Sequence, residues 1–177
     1  MTISDFVLGF FKRKGNAVFT ALAIEKVVGF ILVIIATHFL TKNDYGAITY
    51  ANTSLTFILP FIGMGIHQGL IRYGSISKSQ QEKKVLFNMA LKKGLILSIV
   101  VWVFILLLAP FVTQKMENSF HYLLILSFQI FSLYLLGIVK IYARLINRNT
   151  LYAKIVITNT VSLLISVFLL TFFLDGI

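Results

Sequence analysis

Polar and apolar positions alternate along this chain on the scale of a bilayer. Five long apolar runs cover residues 17–40, 46–71, 89–113, 120–143 and 151–174. A helix needs about 20 mostly apolar residues to cross the hydrocarbon core. Each run meets that length, so the pattern predicts five transmembrane helices and an all-α, polytopic membrane helix bundle. The connectors alternate short and long: "TKNDY", residues 72–88, "QKMENS" and residues 144–150. None is large enough to fold alone, so residues 1–177 read as a single membrane domain. The first run follows a basic tail, as a signal peptide would. It exceeds the usual 7–15 apolar residues of such a leader and lacks a small-x-small cleavage site, so it reads as a retained span.

Composition agrees. Of the 177 residues 58% are hydrophobic and 12% are charged, against about 25% charged in soluble domains. A soluble domain of this size leaves roughly a third of its unfolded surface exposed, and so much apolar surface could not be hidden. The chain has no cysteine, which excludes disulfides, thiolate metal sites and cysteine nucleophiles.

The formal net charge of +10 first suggests nucleic acid, but the placement of the charges does not. Thirteen of the 16 basic residues fall in the N-terminal tail, the second connector, the fourth connector and their flanks. Two, Lys42 and Lys115, fall in the first and third connectors, and Lys26 lies inside the first span. Basic residues collect in cytoplasmic connectors. The expected topology has the N-terminus inside and the C-terminus outside, and no nucleic acid partner is expected.

Several residues break the apolar rule. In the second span Thr49, Asn52, Thr53, Thr56, Pro60, Gly63 and His67 step by three or four, so they share one helical face. Two readings stay open: helix–helix packing, or the wall of a watery cavity. Pro60 cannot donate to the carbonyl of Thr56, which predicts a kink. Gly63, Gly65 and Gly69 follow, and Gly65 with Gly69 forms a G-x-x-x-G pair. That pair predicts close packing, and kink plus glycines predict a bending element. In the first span Glu25 and Lys26 are intramembrane charges, functional candidates by default. They lie about 100° apart on the helical wheel. Lys26 either snorkels to the cytoplasmic headgroups or faces the bundle interior. Tyr122, Gln129, Ser132 and Lys140 fall near one face of the fourth span, and Thr158, Asn159, Ser162 and Ser166 near one face of the fifth. His38 and His67 sit near opposite membrane faces, so no metal site is expected. There is no nucleophile–base pair, no carboxylate pair and no strand–loop–helix around the glycines, so neither an enzyme nor a cofactor is expected.

Two junctions carry a more specific signal. The first span exits through "HFLTKNDYGAITYA" and the second through "GMGIHQGLIRYGS". Together with the basic connector "SKSQQEKK", the residues Tyr45, Gly46, Gly65, Gly69, Arg72 and Tyr73 resemble the N-terminal part of bacterial polysaccharide biosynthesis flippases. These are the O-antigen translocases of the multidrug/oligosaccharidyl-lipid/polysaccharide exporter superfamily. The resemblance implies a multi-pass protein of the bacterial inner membrane. Its partners would be membrane lipids, an undecaprenyl-diphosphate-linked oligosaccharide and other polysaccharide assembly proteins. Lys26 and Arg72 match the basic residues that meet the diphosphate, and Asn52 and His67 would line the same substrate-binding cavity. Glu25 would be the ion-coupling group if the chain resembles the cation-coupled drug exporters of that superfamily instead. A small, non-transporting membrane scaffold or subunit is the third reading. Such flippases have twelve to fourteen spans in two bundles, whereas this chain ends after five, at "FFLDGI". The expectation is an incomplete first bundle, a truncated product or fragment that does not transport by itself.

Overall fold

A computed structural model describes residues 11, 12, 14–115 and 119–174, with the backbone alone at residues 115 and 170–174. Among the described residues the regular structure is helical. In lipid each backbone N–H and C=O must be bonded inside its own segment, and an apolar run meets that demand as a helix. Four helices are long and apolar enough to span a membrane, and a bent helix pair makes a fifth candidate. The five runs read from the sequence thus correspond to five spans.

The chain divides into two compact units. The first holds α1 (Gly15–Phe39) and α7 (Asn149–Leu174), which pack along each other. Its buried side chains are few and mostly small: Ala21, Ala153, Val156 and Thr160, with Tyr152. Small residues let two backbones approach where lipid offers no hydrophobic drive to associate. Most of the remaining apolar side chains of α1, such as Phe19 and Phe30, are exposed.

The second unit, Thr41–Ile146, contains the other three spans. The descending one is α2 (Lys42–Ile58), a 3₁₀ turn (Leu59–Phe61) and α3 (Ile66–Ile76). The ascending one is α4 (Gln80–Val112). The last is α5 (Ser119–Ser127) followed by α6 (Gln129–Leu145), interrupted only at Phe128. Two hydroxyl caps set the starts. Thr41 Oγ1 accepts the Asp44 N–H at 3.2 Å, and Ser79 Oγ accepts the Glu82 N–H at 3.0 Å. Each satisfies an otherwise orphaned donor of the first turn.

The second cap changes the picture of the "SKSQQEKK" connector. The expected loop over residues 72–88 is helical except at its turn, and α4 begins nine residues before the apolar run does. Gln, Glu and Lys are good helix formers, so the helix continues past the lipid. The uncharged part of α4, residues 94–112, rises about 28 Å, close to the ~30 Å hydrocarbon core. Lys92 and Lys93 therefore sit at its edge.

Polar tips tie the helices of this unit together. Tyr50 Oη donates to the Val112 carbonyl at 2.7 Å. Tyr122 Oη donates to Asp44 Oδ1 at 3.1 Å, and Trp102 Nε1 donates to Ser127 Oγ at 2.9 Å. At the other end Lys83 Nζ donates to the Leu145 carbonyl at 3.0 Å, placing a cation on the last residue of α6, where the helix dipole favours it.

Tyr134 is the centre of the core, 0% exposed. Its hydroxyl donates to the Ala90 carbonyl at 2.7 Å. A Cβ built at Gly94 would lie 1.6 Å from that hydroxyl, and one built at Gly63 would lie 2.6 Å from the ring. Both glycines are there because Tyr134 occupies the space a side chain would need.

Two substitutions test this. Gly94→Ala forces the Tyr134 ring off its acceptor and should cost about 1–3 kcal/mol, the usual scale of overpacking. Tyr134→Phe leaves the packing and removes one hydrogen bond, about 1 kcal/mol. Thermal unfolding of the purified protein in detergent should rank the alanine variant as the less stable.

Candidate functional site

The second span is bent by 41° at its break. Pro60 sits in the 3₁₀ turn, but the change of direction is made after it. Gly63 (φ 70°), Met64 (φ 39°) and Gly65 (φ 80°) are consecutive left-handed residues. Gly65 is the N-cap of α3. Glycine tolerates this region freely and methionine does not. The break therefore needs its two glycines, and Met64 holds local strain.

The break splits the polar stripe in two. Above it Thr49, Asn52, Thr53, Thr56 and Pro60 are exposed. The Asn52 carboxamide accepts a hydrogen bond from Gln129 Nε2 on α6 at 3.4 Å. Thr56 Oγ1 donates to the Asn52 backbone carbonyl at 2.8 Å. Ser132 is exposed on α6 as well. Asn52 lies ten residues into α2, about 15 Å along the axis, which is mid-depth in a ~30 Å core. Between Asp44 and Arg72 the span has no charged residue. The result is an exposed, uncharged strip of amides and hydroxyls at the level where lipid would leave their hydrogen bonds unmade.

Below the break Gly63 and His67 turn into the unit. The His67 ring lies 4.9 Å from the Tyr134 ring at an interplanar angle of 33°. A Cβ on Gly137 would come within 3.0 Å of His67 Nε2. That nitrogen is buried with no hydrogen-bond partner. His67 is thus packed inside the unit and does not stand on the open strip with Asn52. Arg72 is exposed on α3. Gly65 and Gly69, the G-x-x-x-G pair, have open space where a Cβ would stand, so no helix of this unit packs closely on them.

The two charged candidates of the first span belong to the other unit. Lys26 is exposed on α1, while Glu25 is half-buried and engaged in an interaction. The structure therefore groups Asn52, His67 and Arg72 in one unit and Glu25 with Lys26 in the other. Among the described residues no three His, Asp or Glu side chains come together as metal ligands would. Tyr134 went unnoticed in the sequence. A tyrosine inside an apolar span has to find an acceptor for its hydroxyl, and that rule marks it.

Residues 11–177 match the profile of the family described as polysaccharide biosynthesis protein. The chain belongs to that family. No curated protein and no solved structure matches it. Family membership and the spans make this a multi-pass membrane protein with a flippase or exporter role. The family is of the transporter type, not a catalytic one.

The Asn52–Gln129 contact is long and exposed, unlike the bond of Tyr134. Asn52→Ala and Gln129→Ala should each change stability by about 0.6 kcal/mol or less, the average for a polar pair between membrane helices. Detergent unfolding curves check this. A loss as large as that of Gly94→Ala would make the pair a structural one.

Proposed function

We propose that the protein moves a polyprenyl-diphosphate-linked oligosaccharide, of the undecaprenyl class, from the cytoplasmic to the outer leaflet of a bacterial inner membrane for surface polysaccharide synthesis. The single observation that supports this most is the exposed, uncharged strip at mid-membrane depth. An oligosaccharide is neutral, polar and rich in hydroxyls, and it must cross that level. Amide and hydroxyl groups exchange hydrogen bonds with it in place of water, and no fixed charge holds it back.

The cationic candidates then divide the work. With the N-terminus inside, as the basic connectors indicate, Arg72 lies toward the cytoplasmic headgroups. A guanidinium makes bidentate contacts to phosphate, so Arg72 receives the diphosphate; Lys26, in the other unit, is a separate cationic candidate, a point charge in place of a fork. Asn52 meets sugar hydroxyls. Glu25 is the candidate ion-coupling group. The break at Gly63–Gly65, following Pro60, is the hinge about which the lower half of the span moves, and His67 rides on that half against Tyr134. Alternating access of this kind needs one group of helices to move against another.

The protein carrying these residues is expressed in a flippase-deficient strain, with surface polysaccharide as the readout. Wild type restores it. Arg72→Ala should lower it about tenfold, the scale of one charge-assisted hydrogen bond, and Arg72→Lys should retain part. Restoration by wild type with no loss in Arg72→Ala would remove Arg72 from the site. Failure of correctly inserted wild type to restore the polymer, with lipid-linked repeats still held in the inner leaflet, would overturn the transport reading. Reporter fusions should place the N-terminus in the cytoplasm.

A further inference from the structure

The fourth span has a joint of its own, and its cause is a hydroxyl. In a regular helix the Leu124 carbonyl would accept the Phe128 N–H. Here Ser127 Oγ donates to that carbonyl at 2.6 Å, and the Phe128 N–H turns to the Ile125 carbonyl at 3.3 Å. The Phe131 N–H likewise reaches only three residues back, to the Phe128 carbonyl at 3.3 Å. A side chain inserted into the ladder bends a helix, and bonds three residues back have the poorer geometry of a 3₁₀ turn. Trp102 of α4 clasps the spot. Its indole N–H donates to Ser127 Oγ at 2.9 Å, and its ring lies 5.2 Å from the Phe128 ring and 5.9 Å from the Phe131 ring.

The second and fourth spans are therefore both jointed, and their halves sort into two groups. Above the joints α2 packs along α5, with Tyr122 bonded to Asp44. Below them α3 packs on α6. Three glycines bring that pair together: Gly63 at the Tyr134 ring, Gly137 at His67 and Gly74 at Leu145. Apart from the long Asn52–Gln129 contact, the crossed pairings of α2 with α6 and α3 with α5 are at most slight among the described residues. Gly63 meets Tyr134, six residues below Phe128, so the joints lie about 9 Å apart in height. By contrast α4 runs as one helix from Gln80 to Val112. Hydrogen bonds from Tyr134 and Lys83 tie its lower half to α6. Between its upper half and the α2–α5 pair lies a cavity of about 300 Å³, with Phe57, Ile58, Ile105 and Leu123 in its walls.

We infer that α2 and α5 form one arm, which pivots at Gly63–Gly65 and at Phe128 together against a body of α3, α4 and α6, with Trp102 as the clasp. Two joints in neighbouring spans bend together when the halves above them are packed on each other. The cavity beside α4 gives the arm room. The inference rests on the hinge assigned to the second span, but no cargo enters its test, so the transport reading stands or falls separately.

The chain has no cysteine, so spin labels can be placed in pairs on the purified full chain in detergent and their separations read by pulsed electron resonance. Phe57→Cys with Ile71→Cys crosses the first joint, and Phe120→Cys with Leu135→Cys crosses the second; all four native side chains are exposed. Met89→Cys with Phe104→Cys covers a similar length, about 22 Å, of unbroken α4. The distance distributions across the joints should be broader than the one along α4. Ser127→Ala frees the Leu124 carbonyl for the Phe128 N–H. It should narrow both joint distributions, including the one on the second span, to about the width seen along α4. Ser98→Ala removes a buried hydroxyl that bonds the Gly94 carbonyl within α4, and it should narrow neither. Circular dichroism reports whether each variant keeps its helices. Should Ser127→Ala fail to fold because the indole N–H is orphaned, the double variant Trp102→Phe with Ser127→Ala removes both partners and carries the same expectation. The inference is overturned if the joints are no broader than α4, if Ser127→Ala narrows one span only or neither, or if Ser98→Ala has the same effect.

Discussion

One buried hydroxyl organises the larger unit. In a lipid environment Tyr134 must give its proton to something, and the acceptor is the Ala90 carbonyl of α4. Holding the ring there requires that α4 present a glycine at Gly94 and that the broken span present one at Gly63. The same ring stacks on His67 of α3. A single side chain thus fixes α6 against α4 and against both sides of the break. Of the left-handed residues at the break, Gly63 rests on the Tyr134 ring, while Met64 and Gly65 are exposed.

The spans were legible in the sequence because apolar length reports directly on the thickness of the solvent. The kink near Pro60 was legible too, since a missing N–H has a local consequence. Its geometry was not. The turn is made by Gly63, Met64 and Gly65, and a helical wheel drawn straight through them leaves out the 41° bend between Asn52 and His67. Helix ends were poorly legible where polar helix formers carry a helix beyond the lipid, as α4 does from Gln80. The partners of each span were also hidden. Amphipathic periodicity loses its meaning when lipid and core are equally apolar. What remains are small residues and polar tips, and these name no partner until the helices are assembled. The family junctions at Tyr45–Gly46 and Gly65–Tyr73 could be read because they are local.

Function follows from a contrast within one span. Half of α2 faces the core through Ala47, Ala51 and Leu55, all buried. The other face carries amides and hydroxyls to the surface of the unit at mid-depth. Nothing in the stability of the fold asks for that second face, and lipid opposes it. Under the proposed function a polar passenger would account for it, and the family is of the transporter type. Arg72 lies one bend away, exposed on the other half of the span.

The central claim is that this strip is wet although it lies in the middle of the membrane. The chain contains no cysteine, so single cysteines can be introduced without background. Asn52→Cys and Thr56→Cys are compared with Phe104→Cys, a position 55% exposed at similar depth on α4, using a membrane-impermeant thiol reagent on the protein in its native membrane. Rapid labelling at positions 52 and 56 with none at 104 is the expected result. Equal protection of all three would contradict the account, because the strip would then be covered by lipid or by another helix.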